Sequence, residues 1–262
     1  MFRKTIFHFH ASGLSEHLKK KNKLFQFVFK KCFFYPDVAI QLSKSCPNEG
    51  KAIHAKKIEI VPNGLPDEAR VKNEPKQTNR LNILFIGLLE ESKGELDLCK
   101  AIKILKDKDI ECQAKIAGEF KSVEYRQRFF KFISDNDLTG NIEYLGVIRG
   151  QKKQDAFRDS DVFCFPSYFH SESFPLVLIE AMSYGLPIVT TRWRGIIDMV
   201  KDGYNGYLVE IKSPEQVADK LKLLFDNIDL RKQIGEHSRL EFEKKYEMGQ
   251  HLKMIENIFN NI

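Results

Sequence analysis

The chain has 262 residues, enough for one large or two modest domains, and 42% of them are hydrophobic, enough for a sizeable core. No run approaches the ~18 apolar residues of a membrane span. The five cysteines (Cys32, Cys46, Cys99, Cys112, Cys164) include no C-x-x-C pair, which argues against a zinc site or disulfide framework and fits reduced cytosolic thiols. The net charge of +6 is uneven: residues 1–60 hold 12 Lys or Arg against 4 Asp or Glu, which leaves open an acidic substrate, an anionic membrane face or a merely solvated basic surface.

Met1 to His10 lacks the long apolar segment and small-residue cleavage site of a signal peptide. Thr5 to His10 alternates like a strand and ends in a turn, which places His10 at a strand's carboxyl end, where open α/β sheets hold ligands. Residues 14–34 read as one basic, aromatic, amphipathic helix, with lysines 19, 20, 21, 23, 30 and 31 among Leu24, Phe25, Phe27, Val28, Phe29, Phe33 and Phe34. Such a helix either packs its apolar face into a core or lies on a membrane surface. Val38–Ser43 and Ile58–Val61 read as buried strands, the second ending at Pro62-Asn63-Gly64. A polar, charged stretch follows to Arg80 and reads as a linker.

From residue 82 onward strands and helices alternate, which predicts a parallel sheet with right-handed crossovers and helices on both faces. The expected strands are 82–87, 113–118, 142–145, 162–165 and 187–190, with helices at 94–106, 122–134, 151–158, 214–225, 231–246 and 251–262. A Walker loop and a G-x-G-x-x-G are both absent from the sequence, as is any nucleic-acid motif.

The stretch from Glu172 to Pro187 carries the chemistry. Pro175 suits a first helical turn, and Gly185-Leu186-Pro187 stops the helix. The amides of Phe174, Leu176 and Val177 then point out of a helix N-terminus, which carries partial positive charge and suits a phosphate. Glu172 lies just before this anion site, and Glu180 lies about 7.5 Å further along the axis. An anion cradle flanked by two acceptor-only groups fits a nucleotide sugar. Spacing alone says little, since Glu111 and Glu119 are also eight apart. The context says more: apolar strands precede and follow the motif, and Glu180 sits in a very apolar helix, where an unpaired carboxylate is costly.

Phe165-Pro166-Ser167, then Glu172 to Gly185, then Gly203-Tyr204-Asn205-Gly206-Tyr207-Leu208-Val209, resembles the C-terminal signature of retaining GT-B glycosyltransferases of family 4 (glycosyl transferases group 1). The resemblance implies an α/β fold of GT-B type: a complete C-terminal Rossmann-like domain with a parallel sheet, and a partial N-terminal Rossmann-like domain. The expected boundaries are 1–64 for the N-terminal, acceptor-side part, 65–80 for the linker, 81–245 for the nucleotide-sugar-binding domain, and 246–262 for a helix crossing back. With only about 62 residues before the crossing, the N-terminal domain looks truncated beside the family. In the family the loop after the first C-terminal strand reads G-R-L-x-x-x-K-G, its arginine and lysine on the donor diphosphate. Here Gly87, Lys93 and Gly94 match, but the arginine position is Leu88, which removes half of the cationic clamp.

The resemblance implies sugar transfer from a nucleoside diphosphate donor to an acceptor hydroxyl with retention, without a metal or other cofactor, in cell-surface polysaccharide or glycolipid synthesis. The expected catalytic residues are Glu172, Lys93 and His10. Gly87, Lys93, Gly146, Val147, Glu172, Phe174, Pro175, Leu176, Val177 and Glu180 are expected to bind the donor, with Gly146 and Val147 at the base and Glu180 at the ribose. Expected partners are a nucleotide sugar, a carbohydrate or lipid-linked acceptor and, through the basic helix, the membrane surface, but no nucleic acid. The expected location is cytoplasmic, peripheral on the inner face of the membrane. The alternative is a truncated remnant that holds a nucleotide sugar but transfers little or nothing.

Overall fold

A computed structural model describes residues 4–10, 13–46, 48–69 and 79–262. The described strands form two parallel sheets. In the first sheet, β1 (Ile6–Phe9) pairs with β2 (Val38–Gln41), which pairs with β3 (Lys57–Ile60). Central β2 is buried along its whole length, as a strand covered on both faces should be.

The expected single helix over 14–34 is two helices, α1 (Leu14–Lys19) and α2 (Lys23–Phe33). Asn22 causes the break: its side chain accepts the Phe25 amide at 2.8 Å and caps a fresh N-terminus. A short α3 (Glu49–Ala52), absent from the sequence reading, brings a buried Glu49 carboxylate to the amides of Gly13 at 2.6 Å and Ser15 at 2.7 Å. That contact fixes the start of α1, just beyond the strand end that carries His10. α2 contributes no buried side chain, and Leu24, Phe25, Phe27, Val28 and Phe33 stand exposed.

The second sheet begins with β4 (Leu81–Ile86), followed by α4 (Glu95–Lys106), β5 (Cys112–Ala117), α5 (Val123–Asp135), β6 (Ile142–Gly146), α6 (Gly150–Arg158) and β7 (Val162–Phe165). It continues through α7 (Leu176–Ser183), β8 (Ile188–Thr191), α8 (Ile196–Met199) and β9 (Gly206–Val209). The spatial order is β6-β5-β4-β7-β8-β9, all parallel. The winding reverses between β4 and β7, and the crevice at such a switch point is where open α/β sheets bind ligands. The sheet's core includes Phe85, Phe163, Leu178 and Met182, none with measurable exposure.

The chain ends with α9 (Pro214–Asp226), α10 (Ile228–Glu241), a π-helical turn at Phe242–Tyr246, and α11 (Met248–Asn260). The helix expected over 231–246 therefore stops five residues early. The wider turn directs both Phe242 and Tyr246 into the core, where Tyr246 meets Phe174 edge-on at 5.8 Å. α11 returns to the first sheet, and its Ile258 packs with Val38, Ile40 and Val61 in a second, smaller core. Where the chain passes between the sheets, the Leu65 amide bonds the Tyr246 carbonyl at 2.8 Å and the Met248 amide bonds the Leu65 carbonyl at 2.9 Å. Of the expected linker over 65–80, residues 70–78 lie outside the described residues. Among the described residues, no helix is long and apolar enough to cross a membrane.

Candidate functional site

The crevice between β4 and β7 is assembled from loops at the carboxyl ends of these strands. After Gly87 the chain runs through a 3-10 turn at Glu91–Lys93. Glu90 anchors it, accepting the Ser92 hydroxyl at 2.6 Å and pairing with Lys121. Burial alone would raise the Glu90 pKa, but these partners outweigh it and hold the carboxyl below its ordinary range. Gly94 then turns into α4 with φ 82°, and a Cβ there would lie 2.2 Å from the Pro166 carbonyl oxygen. Only glycine lets this loop lie so close against the end of β7.

That closeness delivers Lys93 to Glu172. Lys93 Nζ lies 2.6 Å from Glu172 Oε2, with side-chain exposures of 14% and 10%. The same carboxylate oxygen accepts the Ser167 hydroxyl at 3.0 Å. The ammonium also sits 4.3 Å from the Phe169 ring centroid and 5.7 Å from that of Phe165, within cation–π range. The supports come from the end of β8 and the residues just after it: Thr191 Oγ1 donates to the Ser167 carbonyl, and Trp193 Nε1 donates to the Phe169 carbonyl at 2.9 Å. Phe169 and Trp193 act on the site through the loop's backbone and by ring contact, and no residue-type pattern announces that.

α7 begins at Leu176 with Pro175 as its N-cap, so Phe174 precedes the helix and is buried against Tyr246. Leu176 and Val177 occupy the first turn, whose amides have no intrahelical acceptor. Glu180 does not join Glu172. Its Oε1 lies 2.5 Å from Lys153 Nζ of α6, with both side chains a little under a third exposed. The expectation of a carboxylate embedded in apolar surroundings thus gives way to a partly exposed ion pair, because Glu180 faces a groove lined by Leu65, Pro66, Lys153, Gln154 and Tyr184 rather than the core. Sequence reasoning missed Lys153; its partner lies 27 residues away on a separate helix.

The remaining expected residues are more scattered. Gly146 ends β6, its carbonyl accepting the Gly118 amide at 2.9 Å, while Val147 beyond it is exposed. The Gly87 amide bonds the Ala117 carbonyl at 3.0 Å, so Gly87, Gly118 and Gly146 end three adjacent strands side by side. Leu88 is 42% exposed. His10 is exposed, with its ring 4.1 Å from that of His8, and its carbonyl accepts the Ser173 hydroxyl at 3.2 Å. Further bonds bridge the same cleft: Asp198 Oδ2 accepts the Ser43 hydroxyl at 2.5 Å and the amides of Lys44 and Ser45 at 2.7 and 2.8 Å. Burial would raise the Asp198 pKa, yet these hydrogen bonds prevail and lower it. Among the described residues, no three His, Cys, Asp or Glu side chains converge in a way that could hold a metal ion.

Comparison with known proteins places this crevice in context. The family model for glycosyl transferases group 1 matches residues 67–241. An uncharacterized glycosyltransferase of Methanocaldococcus jannaschii is 31% identical over 182 residues, covering 68% of this chain and 48% of its own length. The capsular polysaccharide biosynthesis glycosyltransferase CapM of Staphylococcus aureus is 27% identical over 179 residues, covering 67% of this chain and 45% of its own. The chain thus spans about half the length of these curated relatives. The crystal structure of Anabaena HepE in complex with UDP superposes over 99% of this chain and 73% of its own, with a TM-score of 0.83 at 16% identity, which establishes a shared GT-B fold. Since the matched residues 67–241 run from before β4 to the end of α10 and include the whole crevice between β4 and β7, the chain belongs to the glycosyl transferases group 1 family.

Proposed function

We propose that this protein transfers a sugar from a nucleoside diphosphate donor, with UDP as the nucleotide, to an acceptor hydroxyl, with retention at the anomeric carbon and without a metal. The observation that carries this reading is the Lys93–Glu172 pair, set at the switch point just before the α7 N-terminus. The donor diphosphate lies against the amides of Leu176 and Val177, with Lys93 as its cation. Together they stabilise the charge left on the phosphate oxygen as the bond to the anomeric carbon breaks. The acceptor oxygen forms the new bond, and its proton leaves with the diphosphate. Glu172 faces the donor sugar, where positive charge develops, and Glu180 holds the ribose hydroxyls. Gly87 gives the diphosphate close backbone approach, Gly146 and Val147 border the base, and Phe174 and Pro175 shape the entry to α7. His10 faces the acceptor.

On this reading residues 1–64 form the acceptor-side part, 65–80 the linker, 81–245 the donor domain, and 246–262 the return helix. UDP in the HepE complex supports the choice of nucleotide, and the likeness to CapM supports a role in cell-surface polysaccharide or glycolipid synthesis. The exposed, lysine-rich α2 supports peripheral contact with the inner face of the membrane by a cytoplasmic enzyme. The exposed Leu88, where an arginine is expected, favours a second reading in which the chain binds the donor but turns it over weakly or not at all.

The test is UDP release from UDP-hexoses, with and without a lipid and polysaccharide extract as acceptor. Extract-dependent release supports transfer, and tight binding without release supports the second reading. Absence of any binding of UDP or UDP-sugar sinks both.

A further inference from the structure

Glu16, on α1, reaches across the cleft to His170 and Arg194 of the opposite half. Its Oε2 lies 3.0 Å from His170 Nε2, and its Oε1 lies 3.5 Å from Arg194 Nη2. Arg194 is unusual on three counts. Its backbone is left-handed at φ 41°, a conformation that a side-chain-bearing residue adopts at a cost. Its side chain is only 14% exposed. Its Nη1 is buried and meets no hydrogen-bond partner among the described residues.

A guanidinium presents five donors in a planar fork suited to a carboxylate or phosphate. At 3.5 Å, Glu16 is too far away to satisfy that fork well. A desolvated donor without an acceptor is costly, so among the described residues Arg194 keeps a binding capacity to spare. The location is informative as well. Arg194 adjoins Trp193, which fastens the Phe169 carbonyl, and the Phe169 ring covers Lys93. His170 follows Phe169 directly. The pair therefore lies beside the donor site, but on the wall that faces α1, where the sugar ends of the two substrates would meet.

We propose that Arg194 and His170 form a subsite for an anionic group, a carboxylate or phosphate carried on a sugar, and that Glu16 occupies this subsite while the cleft is empty. The inference rests on the glycosyl-transfer reading for the identity of the ligand. The diphosphate itself is not the anion in question, because Lys93 and α7 take it. Displacing Glu16 uncovers the fork and exchanges one long contact for a bidentate one. A neutral sugar in its place would leave the guanidinium unpaired, which gives the subsite discrimination as well as affinity.

The two sources of the anion, donor and acceptor, separate experimentally. Calorimetry would compare UDP-glucuronate with UDP-glucose for the donor, and glucuronate and glucose 6-phosphate with glucose, each with and without saturating UDP, for the acceptor. In at least one arm the charged ligand should bind about 10–100-fold more tightly than its neutral counterpart, the scale of charge-assisted hydrogen bonds. Arg194→Gln should erase that gap while leaving UDP affinity unchanged, and Arg194→Lys, which keeps the charge but loses the fork, should erase most of it. Glu16→Gln should widen the gap severalfold, because the internal competitor is gone.

Equal binding of charged and neutral ligands in both arms overturns the proposal. So does a Glu16→Gln variant that lowers melting temperature but leaves the gap unchanged, the signature of a simple latch. Failure of UDP to bind would sink the glycosyl-transfer reading instead. The arms without UDP still read the subsite in that case.

Discussion

Lys93 and Glu172, 79 residues apart in sequence, meet at 2.6 Å with both side chains largely buried. On the proposed reading, the cation that takes the diphosphate is here paired with the carboxylate that faces the sugar. Donor binding at this pair would then have to redistribute it. The diphosphate would take over Lys93, and Glu172, still held by the Ser167 hydroxyl, would turn its charge toward the sugar.

Replacing Lys93 with alanine should weaken UDP-sugar binding by about 1.5–3 kcal/mol, the range for a hydrogen bond to a charged group. It should also lower the melting temperature, since Glu172 is left as a largely buried carboxylate without its ion-pair partner. Calorimetry giving equal affinities for mutant and wild type would remove Lys93 from the donor site.

Glu172 and Glu180 should separate in function. Glu180→Gln should weaken UDP-sugar and free UDP alike, whereas Glu172→Gln should leave UDP affinity nearly intact and lower turnover about 10²–10³-fold. Glutamine keeps the size, so melting temperature controls for folding. Equal loss of both ligands in Glu172→Gln would refute the assignment.

The structure explains why some of this was legible in the sequence and some was not. The strand–helix alternation from β4 onward is local, driven by apolar periodicity and by breakers such as Gly185 and Pro187, and each expected core strand lies within a residue or so of its place. The break at Asn22 turns on one capping side chain inside a run whose periodicity continues through it, so the pattern conceals it. Lys93, Glu172 and the first turn of α7 were legible from local motif position, in the loops after β4 and β7. Lys153, Arg194 and Asp198 were not, because their partners Glu180, Glu16 and Ser43 are brought near only by the tertiary fold.

Glu95 should impose a pH dependence on stability. It has no measurable exposure at the start of α4, and burial pushes its pKa up to about 8. An unfolded glutamate titrates near 4.3, so between roughly pH 4.3 and 8 the folded chain holds a proton that the unfolded chain lacks. Stability from this group is then greatest below that window and falls as pH rises through it, by up to about 1.4 kcal/mol per unit. Glu95→Gln should flatten the profile and raise the urea midpoint at pH 8 relative to wild type. An unchanged profile would mean that Glu95 is already ionised in the fold.

The apolar face of α2 should bind anionic membranes. Phosphatidylglycerol vesicles should sediment the protein and phosphatidylcholine vesicles should not, because each lysine near an anionic surface contributes about 1 kcal/mol. A Phe25→Ser, Phe27→Ser double variant should lose roughly tenfold or more of that affinity. Its melting temperature should hold, since α2 buries no side chain. Undiminished binding of the double variant would rule out insertion of this face.

The outward crossing at Leu65 and the return crossing at Tyr246–Met248 are bonded to one another through both the amide and the carbonyl of Leu65. Gly64 lies so close to α11 that a Cβ there would come within 2.5 Å of that of His251. Two chain passes fastened in this way behave as one two-ply strap. Such a strap should resist sliding and torsion more than bending, and so should bias the relative motion of the two halves toward one rotational coordinate. If the two halves hinge there, a small bend at Leu65 should part Glu16 from Arg194, Ser173 from His10 and Ser43 from Asp198 together, each in proportion to its distance from the axis.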